Sequence, residues 1–200
     1  MRCKHMLAEN ERIKTKSDLD RFLQTELRNY GVDNNVITKM KAMMGIRESD
    51  ILVKHIILLR KSEYYLNSGK RIRANLYKLF LRKLQNKYAL HIPLNCCGEG
   101  LRIMHLGSVL INEKASIGRN CAFHINTAVV AGGVSSGIPV LKDGVVLGIG
   151  SVVLGDIIVE ENVAVGANAV VNKSVLQKNV TIAGVPAKIV SKHGRLDWNK

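Results

Sequence analysis

Aromatic residues are scarce in this chain: three Phe, five Tyr and one Trp make up 4% of its 200 residues. Its core must therefore be built from Val, Ile, Leu and Ala, as in tightly repeating folds. No apolar run reaches the roughly 18–20 residues that a membrane span needs. The opening "MRCKHMLAEN" has no apolar signal core. Both absences are expected of a soluble cytoplasmic protein. Cysteine is confined to Cys3, Cys96, Cys97 and Cys121. No CxxC spacing occurs, so the usual zinc motifs are excluded and no metal is expected. Adjacent Cys96 and Cys97 make a poor disulfide framework, and the four read as small reduced thiols.

Acidic residues are outnumbered by basic ones, 16 to 30, for a formal net charge of +14. Residues 1–90 hold 20 Lys/Arg against 9 Asp/Glu, and residues 91–200 hold 10 against 7. The two parts therefore have different surfaces. The first part reads as helices. "KSDLDRFLQTELRNYG" (16–31) predicts a helix capped at Ser17, with Asp20 three residues on and Gly31 as its stop. A second helix is predicted over 51–67 and a third over 72–88, the latter with Leu76, Leu79, Phe80, Leu84 and Tyr88 on one face. The basic stretch 69–87 is a candidate for peripheral contact with an anionic membrane surface. It carries no nucleic-acid motif, and no nucleic-acid partner is expected.

From residue 105 onward the period becomes six. Written in hexads from Ile111, the first positions are Ile111, Ile117, Phe123, Val129, Ser135, Leu141, Leu147, Val153, Val159, Val165 and Val171. Only Ser135 breaks that apolar column. The fifth positions, such as Ala115, Cys121, Val145, Val163 and Ala169, are compact or apolar. From 117 on, the fourth positions are Asn120, Asn126, Gly132, Ile138, Gly144, Gly150, Asp156, Asn162 and Asn168. Gly, Asn and Asp tolerate positive φ or turn through their own side chains. Each hexad thus reads as a short strand and a forced corner. Three hexads make one coil of a triangular prism, whose inner face is buried only when coils stack.

Together with these hexads, "GLRIMHLGSVLIN", "PVLKDGVVLGIGSVVLGD" and "TIAGVPAKIV" resemble the hexapeptide-repeat acyltransferases. The likeness is to the serine acetyltransferase family, and in particular to its relatives that O-acetylate capsular sugars. The resemblance covers about residues 90–190. It implies a mainly β fold: a left-handed parallel β-helix over 91–190 behind an α-helical N-terminal domain (1–90), with a C-terminal tail (191–200). It also implies acetyl-CoA as co-substrate and homotrimers, some pairing into hexamers, with sites between neighbouring prisms.

Acetyl transfer needs a base for the acceptor hydroxyl, and histidine serves at neutral pH. His105, in an H-x-x-x-[VI]-x-[IV]-[NG] pattern, matches the family's catalytic histidine. The hexad grid counts position 105 into the inward column, but the irregular "CCGEGLRIM" before it offers a way to turn His105 outward. His91 stands where the family has an acid, which leaves Glu99 as the candidate orienting carboxylate. By resemblance, Gly132 and Gly133 in the loop "AGGVSSGIP" (131–139), and Ala183, Gly184 and Lys188 in "AGVPAK", contact the coenzyme. His124, one coil above His105, and Asn126 are candidates for the acceptor pocket. The loop lacks the histidine that serine-specific enzymes carry there, and the chain ends "LDWNK" without their isoleucine tail. The leading expectation is therefore transfer of acetyl to a hydroxyl of a capsular or surface polysaccharide or its precursor. The alternatives are serine O-acetylation in cysteine biosynthesis and a non-catalytic β-helix scaffold.

Overall fold

The structure is a computed structural model that describes residues 11–133 and 137–195. Four helices come first: α1 (Lys16–Arg28), α2 (Val36–Met44), α3 (Glu48–Asn67) and α4 (Arg71–Tyr88). Among the described residues, no helix is long and apolar enough to cross a membrane. The N-cap of α1 is Thr15, two residues before the expected Ser17. Its hydroxyl accepts from the Asp18 N–H (3.1 Å), and the Thr15 N–H donates to Asp18 Oδ2 (2.9 Å). This reciprocal box satisfies two donors that Ser17 and Asp20 would leave open. Helix α2 is an addition to the three expected helices.

The predicted face of α4 is also corrected. Leu76, Leu79 and Phe80 are about half exposed, while Ala74, Leu81 and Leu84 are buried. The wide apolar arc of α4 can pack by only part of its circumference, and α3 takes the side centred on Leu81.

Short strands then wind through three sheets in turn: β1 (Leu90–His91), β2 (Arg102–Ile103), β3 (Val109–Ile111), β4 (Ser116–Ile117), β5 (Ala122–Phe123), β6 (Thr127–Val130), β7 (Val140–Leu141), β8 (Val146–Leu147), β9 (Val152–Leu154), β10 (Ile158–Val159), β11 (Ala164–Val165), β12 (Val170–Val171), β13 (Thr181–Ala183) and β14 (Lys188–Ser191). The sheets run β1-β3-β6-β9-β12, β10-β7-β4 and β14-β13-β11-β8-β5-β2. All pairings are parallel except the terminal hairpin β13–β14. This is a three-sided β-helix. Its register partners are three hexads apart where coils are regular, as for Val109 with Thr127 and Val146 with Ala164. Where the 131–139 loop intervenes they are four hexads apart, as for Ala122 with Val146.

The inward column is buried from Ile111 to Val171 at every described position. The corners at Asn120, Asn126, Gly144, Gly150, Asn162 and Asn168 have φ between 54° and 74°. Above Gly144 and Gly150 sit the amides of Asn162 and Asn168. A Cβ on either glycine would lie within 2.2 Å of the amide oxygen above it. One expected corner is corrected. The turn at 155–156 is made by Gly155 (φ 95°) rather than Asp156. The expectations for Cys3, Ser135 and "LDWNK" lie outside the described residues.

The helices cap the first coil. Arg60 of α3 is fully buried and divides its guanidinium between the helices and the first coil. It donates to Glu26 of α1 from Nε (3.1 and 3.0 Å), to Glu63 (2.8 Å), and to the carbonyls of Cys97 (2.9 Å) and Gly98 (2.8 Å). Glu26 also accepts from the Leu101 N–H at 3.2 Å. The Tyr30 hydroxyl accepts from the Ile103 N–H (3.1 Å) and donates to the Ile103 carbonyl (3.0 Å). These bonds cover the outer edge of β2, which would otherwise offer an unpaired ladder. Cys96, Cys97 and Cys121 are free and buried, and burial pushes the Cys121 thiol up to about 12, so it is inert at neutral pH.

This packing makes two predictions. Arg60→Met strands the Glu26 carboxylate in the core and lowers stability by about 3–5 kcal/mol in urea unfolding. His55 on α3 is fully buried with both ring nitrogens unpartnered, and burial pushes its pKa down to about 3. Between about pH 6.5 and about 3 the unfolded chain then holds one more proton than the folded one. Stability falls as pH drops through that window, by about 1.4 kcal/mol per unit from this group alone. His55→Leu removes that part of the slope, which unfolding at pH 7 and pH 5 measures.

Candidate active site

His105 lies on the edge where the six-stranded sheet passes to the five-stranded one, and its side chain is 59% exposed. The reason is a register change. Ile103 pairs with Phe123 and takes the inward place, although the two are further apart in sequence than three hexads. Between Ile103 and Ile111 the first coil holds two more residues than the corner from Phe123 to Val129. That surplus carries His105 out of the inward column.

The carboxylate beside it is Glu48, not Glu99. His105 Nδ1 lies 3.5 Å from Glu48 Oε1, and the same oxygen accepts from the Leu106 N–H at 2.6 Å. Glu48 opens α3, whose start is fixed by Asp50 accepting from the Arg47 N–H at 3.1 Å. Glu99 instead accepts from the Thr25 hydroxyl (2.7 Å) and pairs with Arg21, both on α1. It sits on another edge of the prism and ties the cap to the coil. Sequence reading misses Glu48 because nothing local connects residue 48 to residue 105.

His124 stacks one coil above His105, with ring centroids 6.3 Å apart. Its Nδ1 is buried without a hydrogen-bond partner in this chain. Burial, and then the nearby charges of His105 and Arg102, lower its pKa, which favours a neutral ring. Asn126 is exposed at the same corner with φ 60°, so its identity is accounted for by the backbone turn alone. Ala183, Gly184 and Lys188 belong to the β13–β14 hairpin on this same edge, with Ala183 opposite Lys188. Four strand-to-strand steps separate β2 from β13, or ~19 Å along the edge.

Gly132 and Gly133 follow β6 and lie on a different edge. An added Cβ at Gly133 meets nothing within 4 Å, so its backbone faces open space. One chain therefore brings together His105, Glu48, His124 and Asn126, with the hairpin further along, and leaves Gly132 and Gly133 apart. Among the described residues, no group of three or more His, Cys, Asp or Glu could hold a metal ion.

The hexad-built β-helix thus carries an exposed imidazole beside a carboxylate on one edge, and comparison with known proteins says what the chain is similar to. No protein-family model matches the chain. The chain is 32% identical over 139 residues to the serine acetyltransferase of Buchnera aphidicola subsp. Acyrthosiphon pisum, covering 66% of this chain and 48% of the relative. It is 28% identical over 199 residues to that of Buchnera aphidicola subsp. Schizaphis graminum, covering 90% and 73%. Among solved structures it is similar to the Brucella abortus serine acetyltransferase in complex with coenzyme A. The TM-score there is 0.63 at 23% identity, over 90% of this chain and 70% of that one. The chain spans about half the length of most of the curated relatives it matches. The chain is therefore similar to serine acetyltransferases in sequence and in fold. These likenesses overturn the expectation of a capsular or other carbohydrate acceptor, because the relatives are named for serine. That expectation weighed the missing loop histidine and tail above the shared hexads.

The exposures lead to one chemical prediction. Diethyl pyrocarbonate modifies His105 in the folded protein and leaves His55 untouched, whereas both react in urea; peptide mass spectrometry reads the difference.

Proposed function

We propose that this chain transfers acetyl from acetyl-CoA to the side-chain hydroxyl of serine. The observation that carries the reading is the outward His105 held against Glu48. In this mechanism His105 takes the hydroxyl proton as the oxygen attacks the thioester carbonyl. Glu48 stabilises the imidazolium so formed. The C–O bond forms, the C–S bond breaks, and the imidazolium returns its proton to the departing thiolate, giving O-acetylserine and coenzyme A. A base and its orienting acid commonly divide the work in this way. Arg102, whose charge reaches His124, offers a partner for the carboxylate of an amino acid, a group that a neutral sugar lacks. His124 and Asn126 would border the acceptor.

The coenzyme would lie along the edge from His105 to the hairpin, with Lys188 near its phosphates. The Brucella abortus relative, solved in complex with coenzyme A, supports that co-substrate. A homotrimer of left-handed β-helices (91–190), each with a helical domain (1–90) and a tail (191–200), would bring Gly132 and Gly133 of a neighbour to this edge. The separation of the loop from His105 within one chain favours such an assembly.

The test is release of free thiol from acetyl-CoA with L-serine or a nucleotide-linked sugar as acceptor. Serine supports turnover, and His105→Ala lowers it by about 10²–10⁴-fold. Glu48→Gln keeps an acceptor for the Leu106 N–H but loses the charge, so kcat falls about tenfold with KM for acetyl-CoA unchanged. Turnover with the sugar alone, or activity indifferent to His105→Ala, would overturn the proposal.

A further inference from the structure

Helix α2 turns its apolar stripe to solvent. Val36, Ile37, Met40, Met43 and Met44 recur at i, i+1, i+4, i+7 and i+8, and all are exposed, from 60% at Met40 to 74% at Met43. Thr38 and Ala42, on the opposite side, are the buried residues of the helix. A surface helix of a globular protein ordinarily does the reverse. Beside the stripe, α2, α3 and α4 enclose a groove of about 640 Å³, with Met43, Met44, Ile57, Leu58, Phe80 and Leu84 in its wall. Its rim carries Lys39, Lys54, Lys61, Lys83 and Lys87 and no acidic residue. Lys61 and Lys87 lie over the rings of Tyr77 and Tyr88, at 5.3 and 5.2 Å. Their stems cover the apolar wall and their charges reach its edge.

An apolar floor inside a purely cationic rim selects its partner. A second copy docking by the same face would set lysine against lysine. A neutral apolar partner would leave the ammonium groups uncompensated. A surface that is apolar within and negative at its boundary satisfies both parts, and an anionic lipid leaflet is such a surface. We propose that α2 and the adjoining groove dock on an anionic bilayer, with the methionines at the acyl boundary and the lysines among lipid phosphates. This surface does not depend on the acetyl-transfer reading.

Flotation of the full chain with vesicles tests it. Binding to vesicles of equal phosphatidylglycerol and phosphatidylcholine is expected to exceed binding to phosphatidylcholine alone by at least about tenfold. It weakens at about 0.5 M salt, where screening shortens the reach of the lysines. Met43→Glu/Met44→Glu abolishes flotation. The pair Lys83→Glu/Lys87→Glu does so too, which keeps the test open if the first variant fails to fold by circular dichroism. Absence of flotation, equal flotation on neutral vesicles, or flotation indifferent to both variants overturns the proposal. So does an acidic helical peptide that binds where vesicles do not, or sedimentation in which the methionine variant only shrinks an oligomer; either outcome assigns the face to a protein.

Discussion

The lowest coil of the β-helix has no coil beneath it, and the buried ion pair of Arg60 with Glu26 closes that end. Each of the two charges is costly to bury alone. Together with Glu63 they leave a guanidinium whose remaining donors reach the carbonyls of Cys97 and Gly98. The helices are thus bolted to the coil by its own backbone. Arg60 also fixes where α3 lies, and α3 begins with Glu48. The residue beside His105 is therefore placed by a contact several turns further along the same helix.

The repeating part of the fold is readable because its information is local. Hexad spacing decides which side chains point inward, and the column from Ile111 to Val171 is buried as that spacing requires. The corners are readable where Gly or Asn alone makes the turn. They are misleading at Asp156, where Gly155 turns one residue early. The helices are less readable. Apolar periodicity in α4 marks an arc wider than one neighbour can cover, so Leu76 and Phe80 are expected inside and lie half outside. In α2 the stripe faces water, and periodicity alone has no sign for that.

The site is half legible. His105 announces itself by motif, but its direction depends on two surplus residues in one corner, visible only once Ile103 is seen opposite Phe123. Its carboxylate comes from the start of α3 and leaves no trace in spacing. Glu99, nearer in sequence, belongs to the cap. Closeness along the chain is here the wrong guide to closeness in space. The acceptor is misjudged for a related reason: departures in a loop and a tail outweigh a shared framework in that reading, although such segments vary most freely.

Across residues 131–139 the spacing between paired strands grows from three hexads to four. The strands on either side pair as if the added hexad were absent, with Ala128 against Val152 and Ser116 against Val140. One full hexad is absorbed without disturbing any ladder. A prism whose register is kept by stacked asparagine and glycine corners can accept whole-hexad grafts at its vertices while its interior stays the same. Such a scaffold can change one vertex without having to refold its centre.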